Sequence, residues 1–166
     1  MYIHAGATLW KHWILFFLSA RVSTASVCLA GMATTSFWTS LIEPIFFKKK
    51  IAVFEVILSL VALAGMLVIF NVEFNYVLGL SLAITAALLA AFFSIINVSL
   101  THSNDHFVIT FYEMLFACVL IALFLPFYFT FFSKESFSLP NFDDWLYLLV
   151  LAVVCTVYAF SYSVKL

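Results

Sequence analysis

Charge is what this sequence has least of. Only 9% of its 166 residues are charged, where a soluble domain carries about a quarter. A net charge of −1 supplies no basic field for nucleic acid and no acidic field for cationic partners. Cysteine is sparse as well. Cys28, Cys118 and Cys155 all lie inside apolar runs, no two have metal-ligand spacing, and an odd count argues against a disulfide framework. They read as small buried thiols. No cleavable secretory signal is evident, because Met1-Tyr2-Ile3-His4 lacks a basic start and Lys11-His12 interrupts the apolar run behind it. Catalytic motifs are missing too: no H-E-x-x-H, G-x-S-x-G, Walker A or G-x-G-x-x-G sequence occurs. Neither an enzyme nor a bound cofactor or metal is therefore expected. His102 and His106 have the spacing of helical metal ligands, but their stretch, Thr101 to His106, reads as a solvated loop.

What fills the chain instead is hydrocarbon. Hydrophobic residues reach 66%, with 21 phenylalanines and 19% aromatics, and the mean hydropathy is +1.19. A soluble protein of this length would lack the polar surface to cover such a core. A bilayer removes that difficulty. About 20 predominantly apolar residues cross it as a helix, and such runs begin near Ile3, Ala25, Ile51, Tyr76, Phe107 and Trp145. They end near Ala20, Phe47, Phe70, Ser99, Phe132 and Tyr162. Uninterrupted apolarity of this length fits helices rather than barrel strands, which alternate over about 10 residues. The fold class expected is all-α, a polytopic transmembrane bundle of about six helices. Cytoplasmic loops are enriched in Lys and Arg. Placing Lys48-Lys49-Lys50 on the cytoplasmic side of the cell membrane puts both termini there if all six runs cross.

Two helices have a distinct character. The run from Tyr76 carries Gly79, Ala83, Ala87 and Ala91 on one face, a small-residue groove that lets another helix approach closely. The run from Ala25 adds hydroxyls, with Ser26, Thr34, Thr35, Ser36, Thr39 and Ser40. Such hydroxyls can bond the preceding turn's carbonyls, and so many in one span also suit the wall of a watery cavity.

Ionisable groups within hydrocarbon cost several kcal/mol unless paired or hydrated, so they point to function. Lys11 and His12 either hold an anionic solute group or relay a proton, or they lie near an interface because the first run is displaced. Glu113, flanked by Thr110 and Tyr112, reads as a site or coupling carboxylate, or as a structural hydrogen-bonding group. Asn97 reads as a polar cap. Glu43 and Glu55 flank the triple lysine and read as its interfacial salt-bridge partners. Pro44 and Pro126 should bend or end their helices. Tryptophans and tyrosines serve partly as interfacial anchors, although Trp38 lies deeper than a belt residue should.

The run His12-Trp13-Ile14-Leu15-Phe16-Phe17-Leu18-Ser19-Ala20-Arg21-Val22-Ser23 resembles the end of the third helix of EamA-like permeases, in the drug/metabolite transporter superfamily. The following small-residue helix with its proline turn, Leu41 to Phe47, the basic turn Lys48 to Lys50 with Glu55, Gly65, the span Gly79 to Asn97, and Phe111-Tyr112-Glu113 are similar to that family in order and spacing. The resemblance implies ten helices in two inverted repeats around a central solute cavity. This chain would supply helices three to eight, as a fragment, with residues 1–70 ending the first repeat and 76–166 opening the second. It implies a small metabolite or drug-like solute moved by alternating access. Lys11, His12, Thr34, Thr35, Trp38, Tyr112 and Glu113 are the expected substrate-binding residues. The partners expected are the lipid bilayer and the solute, with a homodimer open to the chain. The alternative is a non-transporting helical scaffold or assembly subunit.

Overall fold

The structure is a computed structural model that describes residues 2–70, 74–101, 105–131 and 139–158. Among these residues there is no strand. The helices are α1 (Tyr2–Val22), α2 (Ala25–Met32), α3 (Thr35–Phe46), α4 (Val53–Phe70), α5 (Val77–Thr101), α6 (His106–Phe131) and α7 (Phe142–Val150). A 3₁₀ turn at Phe74–Tyr76 leads into α5, and α7 passes into a π-helical segment, Leu151–Tyr158. Three stretches among the described residues are long and apolar enough to cross a membrane: Ala25–Phe46, Val77–Thr101 and His106–Thr130. Val53–Val68 is a shorter apolar helix.

Local signals set the helix ends. Thr24 caps α2, its side chain accepting from the Val27 N–H at 3.3 Å. The Ala25–Phe46 stretch is interrupted at Ala33–Thr34, where Thr34 N–H turns back to the Gly31 carbonyl at 3.1 Å. The expected continuous span is therefore two helices end to end. At the close of α3, Lys49 N–H reaches the Pro44 carbonyl at 2.8 Å and Lys48 N–H reaches that of Ile45 at 3.4 Å. This pairing is a Schellman stop, with Lys48 in the left-handed region at φ 54°. Pro44 is buried and stays inside α3, one turn before this stop. Asn141 and Asp144 form a reciprocal cap that starts α7, at 2.8 and 3.2 Å.

The chain divides into two compact units. One holds residues Ala7–Ile96, the other Met1–Gly6 with Asn97–Leu166. In the first unit α1 and α5 run antiparallel: His12 Nδ1 donates to the Ala86 carbonyl at 2.9 Å, and Ser19 Oγ donates to the Gly79 carbonyl at 2.7 Å. Seven residues forward on one helix thus match seven back on the other. The small face of α5 makes this approach, with Ala83, Ala87 and Ala91 wholly buried. A Cβ built on Gly79 would fall on the Ser23 side chain, and one built on Gly31 of α2 would fall on the Ala83 Cβ. Lipid tails are as apolar as leucine, so in a bilayer such association would rest on van der Waals contact and on interhelical hydrogen bonds rather than on release of water. The outward faces remain apolar, as on α4, where Phe54 is 72% exposed and Val68 83%. Such a surface is stable in hydrocarbon and would aggregate in water.

In the second unit, Gly6 brings α1 against α6. A Cβ there would lie 2.7 Å from the Phe116 Cβ and 3.3 Å from the Glu113 carbonyl oxygen.

These contacts predict opposite signs for two chemically identical changes. Gly31→Ala should destabilise by about 1–3 kcal/mol through overpacking, and Ala83→Gly in the same chain should restore part of the loss. Gly65 has nothing within 4 Å of a built Cβ, so Gly65→Ala should stabilise α4 by roughly 0.5–1 kcal/mol through helix propensity. Unfolding in detergent followed by circular dichroism checks both.

Candidate functional site

A cleft of about 420 Å³ opens between α3 and α4. It is lined on α3 by Thr35, Ser36, Thr39, Ser40 and Glu43, and on α4 by Glu55, Leu58, Ser59 and Ala62. Helical spacing produces both walls. Thr35, Thr39 and Glu43 recur every four residues, while Glu55, Ser59 and Ala62 fall at i, i+4 and i+7.

The hydroxyls have a common polarity. Thr35 Oγ1 donates to the Met32 carbonyl at 2.7 Å and Thr39 Oγ1 to that of Thr35 at 3.0 Å. Ser40 Oγ donates to the Phe37 carbonyl at 2.9 Å and Ser59 Oγ to that of Val56 at 2.8 Å. Each of these four donates to a carbonyl three or four residues back in the chain and keeps its lone pairs. With the carboxylates of Glu43 and Glu55 the lining is rich in acceptors. Lys49 Nζ lies 3.9 Å from Glu43 Oε1, a surface pair of small energetic weight, as expected of the triple lysine.

The expected site residues fall in several places. Lys11 and His12 are adjacent in the middle of α1 but diverge: Lys11 is exposed, whereas His12 is half-buried on the Ala86 carbonyl. Neither is displaced to a helix end. Thr34 sits at the α2–α3 interruption, its hydroxyl on the Gly31 carbonyl at 2.7 Å. Thr35 begins α3 and lines the cleft. Trp38 packs edge-on against Phe37, its Nε1 buried without a hydrogen-bond partner among the described residues. Tyr112 is exposed beside Phe111, while its neighbour Glu113 is wholly buried.

Asn97 does not cap α5. It is buried inside the helix, four residues before its end, and its Nδ2 donates to Glu113 Oε2 at 3.4 Å. Thr110, one turn before Glu113 on α6, is buried too. The cysteines also differ from one another, Cys28 being buried and Cys118 exposed; the side chain of Cys155 lies outside the described residues, as does His102. His106 opens α6, 3.9 Å from the Asp105 carboxylate.

Composition alone did not disclose the α4 wall of the cleft or the pairing of Asn97 with Glu113. The available signal for the first was Glu55, Ser59 and Ala62 on one face of an otherwise apolar helix. For the second it was the coincidence of two polar residues on helices joined by a short turn.

If water enters the cleft, cysteines placed there should react. With Cys28, Cys118 and Cys155 replaced by alanine, Ser36→Cys and Thr39→Cys should be labelled by a charged thiol reagent in intact proteoliposomes, and Ala87→Cys should not. Labelling of Ala87→Cys alone would contradict this placement.

Compared with family models, with curated proteins and with solved structures, the chain matches none.

Proposed function

We propose that the chain is part of a membrane permease that moves a small solute by alternating access, and the cleft between α3 and α4 carries this reading. Hydroxyls gathered on facing helices, with the Glu43 and Glu55 carboxylates among them, offer a solute a polar wall on otherwise apolar helices. The cleft volume falls within the range typical of small-molecule sites. Its acceptor-rich lining favours a solute that brings donors, an amine or a polyol. The interruption between α2 and α3 lies beside it, and discontinuous helices are a recurrent feature of solute sites in transporters. Thr34 and Thr35 take up carbonyls at that interruption, which supports its presence at membrane depth.

The EamA-like plan extends this proposal. Six spans of a ten-helix inverted-repeat protein would come from this chain, with both termini cytoplasmic. Lys11, His12 and Trp38 would join Thr34 and Thr35 in contacting solute as the repeats rock.

Uptake of labelled small amines and polyols into proteoliposomes tests the reading. Saturable uptake above protein-free vesicles is expected for at least one solute. Thr39→Val and Glu55→Gln should each lower it by about tenfold or more, the effect of losing a hydrogen bond to a charged or donor group. Absence of uptake across the panel would favour a scaffold, and uptake indifferent to both changes would move the solute away from this cleft.

A further inference from the structure

We propose that Asn97, Thr110 and Glu113 form a binding site for a small monovalent metal cation such as sodium. None of these residues lines the α3–α4 cleft, and the proposal does not rest on the transport reading. Its three side chains are each more than nine-tenths buried: Glu113 is 0% exposed, Asn97 6% and Thr110 7%. Each has one buried atom with no hydrogen-bond partner among the described residues, namely Glu113 Oε1, Asn97 Oδ1 and Thr110 Oγ1. All three atoms are oxygens.

The geometry gathers these groups. Asn97 Nδ2 lies 3.4 Å from Glu113 Oε2, so the amide and the carboxyl face each other across α5 and α6. Thr110 and Glu113 are three residues apart on α6 and share a face. The surroundings are apolar. Ile109 and Ala117 of α6 and Ala5 of α1 are wholly buried, and a Cβ on Gly6 would lie 3.3 Å from the Glu113 carbonyl oxygen.

Charge balance selects the ligand. A buried carboxylate is tolerated only with a counter-charge, and among the described residues no lysine, arginine or histidine pairs with Glu113. A proton on Oε1 would neutralise Glu113 and could be donated to one of the other two oxygens, but it leaves the third without a partner. A water molecule donates to two oxygens and brings no charge. A divalent ion would leave one positive charge uncompensated by a single carboxylate. A monovalent cation accepts lone pairs from all three oxygens and neutralises the site, and oxygen is the donor such hard ions take.

The test uses the purified full chain in lipid nanodiscs, with sodium chloride replacing choline chloride at constant ionic strength. Sodium should raise the thermal midpoint saturably, as expected of a ligand that binds the folded state, and equilibrium dialysis with radioactive sodium should give a matching affinity. Glu113→Gln and Thr110→Val, both near-isosteric, should weaken that affinity by at least roughly tenfold while circular dichroism shows each still helical. Ser81→Ala, on an exposed face of α5, should leave it unchanged. No sodium response in the unaltered chain, a response to pH alone, or a sodium response that survives both site variants would overturn the proposal. Because solute flux is not the readout, a negative result here leaves the permease reading standing, and the reverse also holds.

Discussion

Every backbone N–H and C=O placed in hydrocarbon has to find its partner within the chain, and the remaining features of this molecule answer that demand. An unpaired peptide group in lipid costs several kcal/mol, more than any one side chain here returns by packing. Runs as apolar as Val77–Thr101 therefore coil. The demand is sharpest where coiling stops. At the α2–α3 interruption two threonine hydroxyls donate to the Gly31 and Met32 carbonyls. At the end of α3 the Schellman bonds of Lys48 and Lys49 take the last carbonyls, even though Lys48 must adopt a positive φ to make them. Glycine is the usual occupant of that position, and a cationic residue near a helix C-terminus complements the negative pole there.

Once the backbone is satisfied, helices in hydrocarbon would still have to adhere without help from the hydrophobic effect. Small residues meet this need. Gly31, Gly79 and Ala83 let α1 and α2 come within backbone distance of α5, close enough for Ser19 and His12 to bond carbonyls of the opposing helix. The hydroxyls of α3 and α4 serve two ends at once. Their protons go to carbonyls one turn back in the chain, and their lone pairs give the cleft its acceptor-rich lining. The polar chemistry proposed for this chain is thus built from groups that the helices already tolerate.

Much of the architecture was legible because one physical signal, sustained apolarity, dominates each segment. The ends of α4, α5 and α6 lie within two residues of where the apolar runs begin and stop, and the face Gly79, Ala83, Ala87, Ala91 is buried as its spacing implies. The interruption at Ala33–Thr34 was not legible, since nothing in Gly31-Met32-Ala33-Thr34-Thr35 is a helix breaker in lipid. Asn97 was misread for a similar reason. Its place near the end of an apolar run suggested a cap, whereas its real partner, Glu113, lies on the next helix, and pairing between helices leaves no trace in the periodicity of either one. Lys11 and His12 show the same gap: adjacency in sequence is divergence on a helix, where neighbouring side chains point about 100° apart.

Amide hydrogen exchange of the chain in lipid nanodiscs addresses the central claim most directly. The account requires slow exchange along α5 and α6, faster exchange at Ala33–Thr34, and loss of the slow class when the lipid is removed. Fast exchange throughout α5 and α6 in lipid, or a slow class that persists in plain buffer, would contradict it.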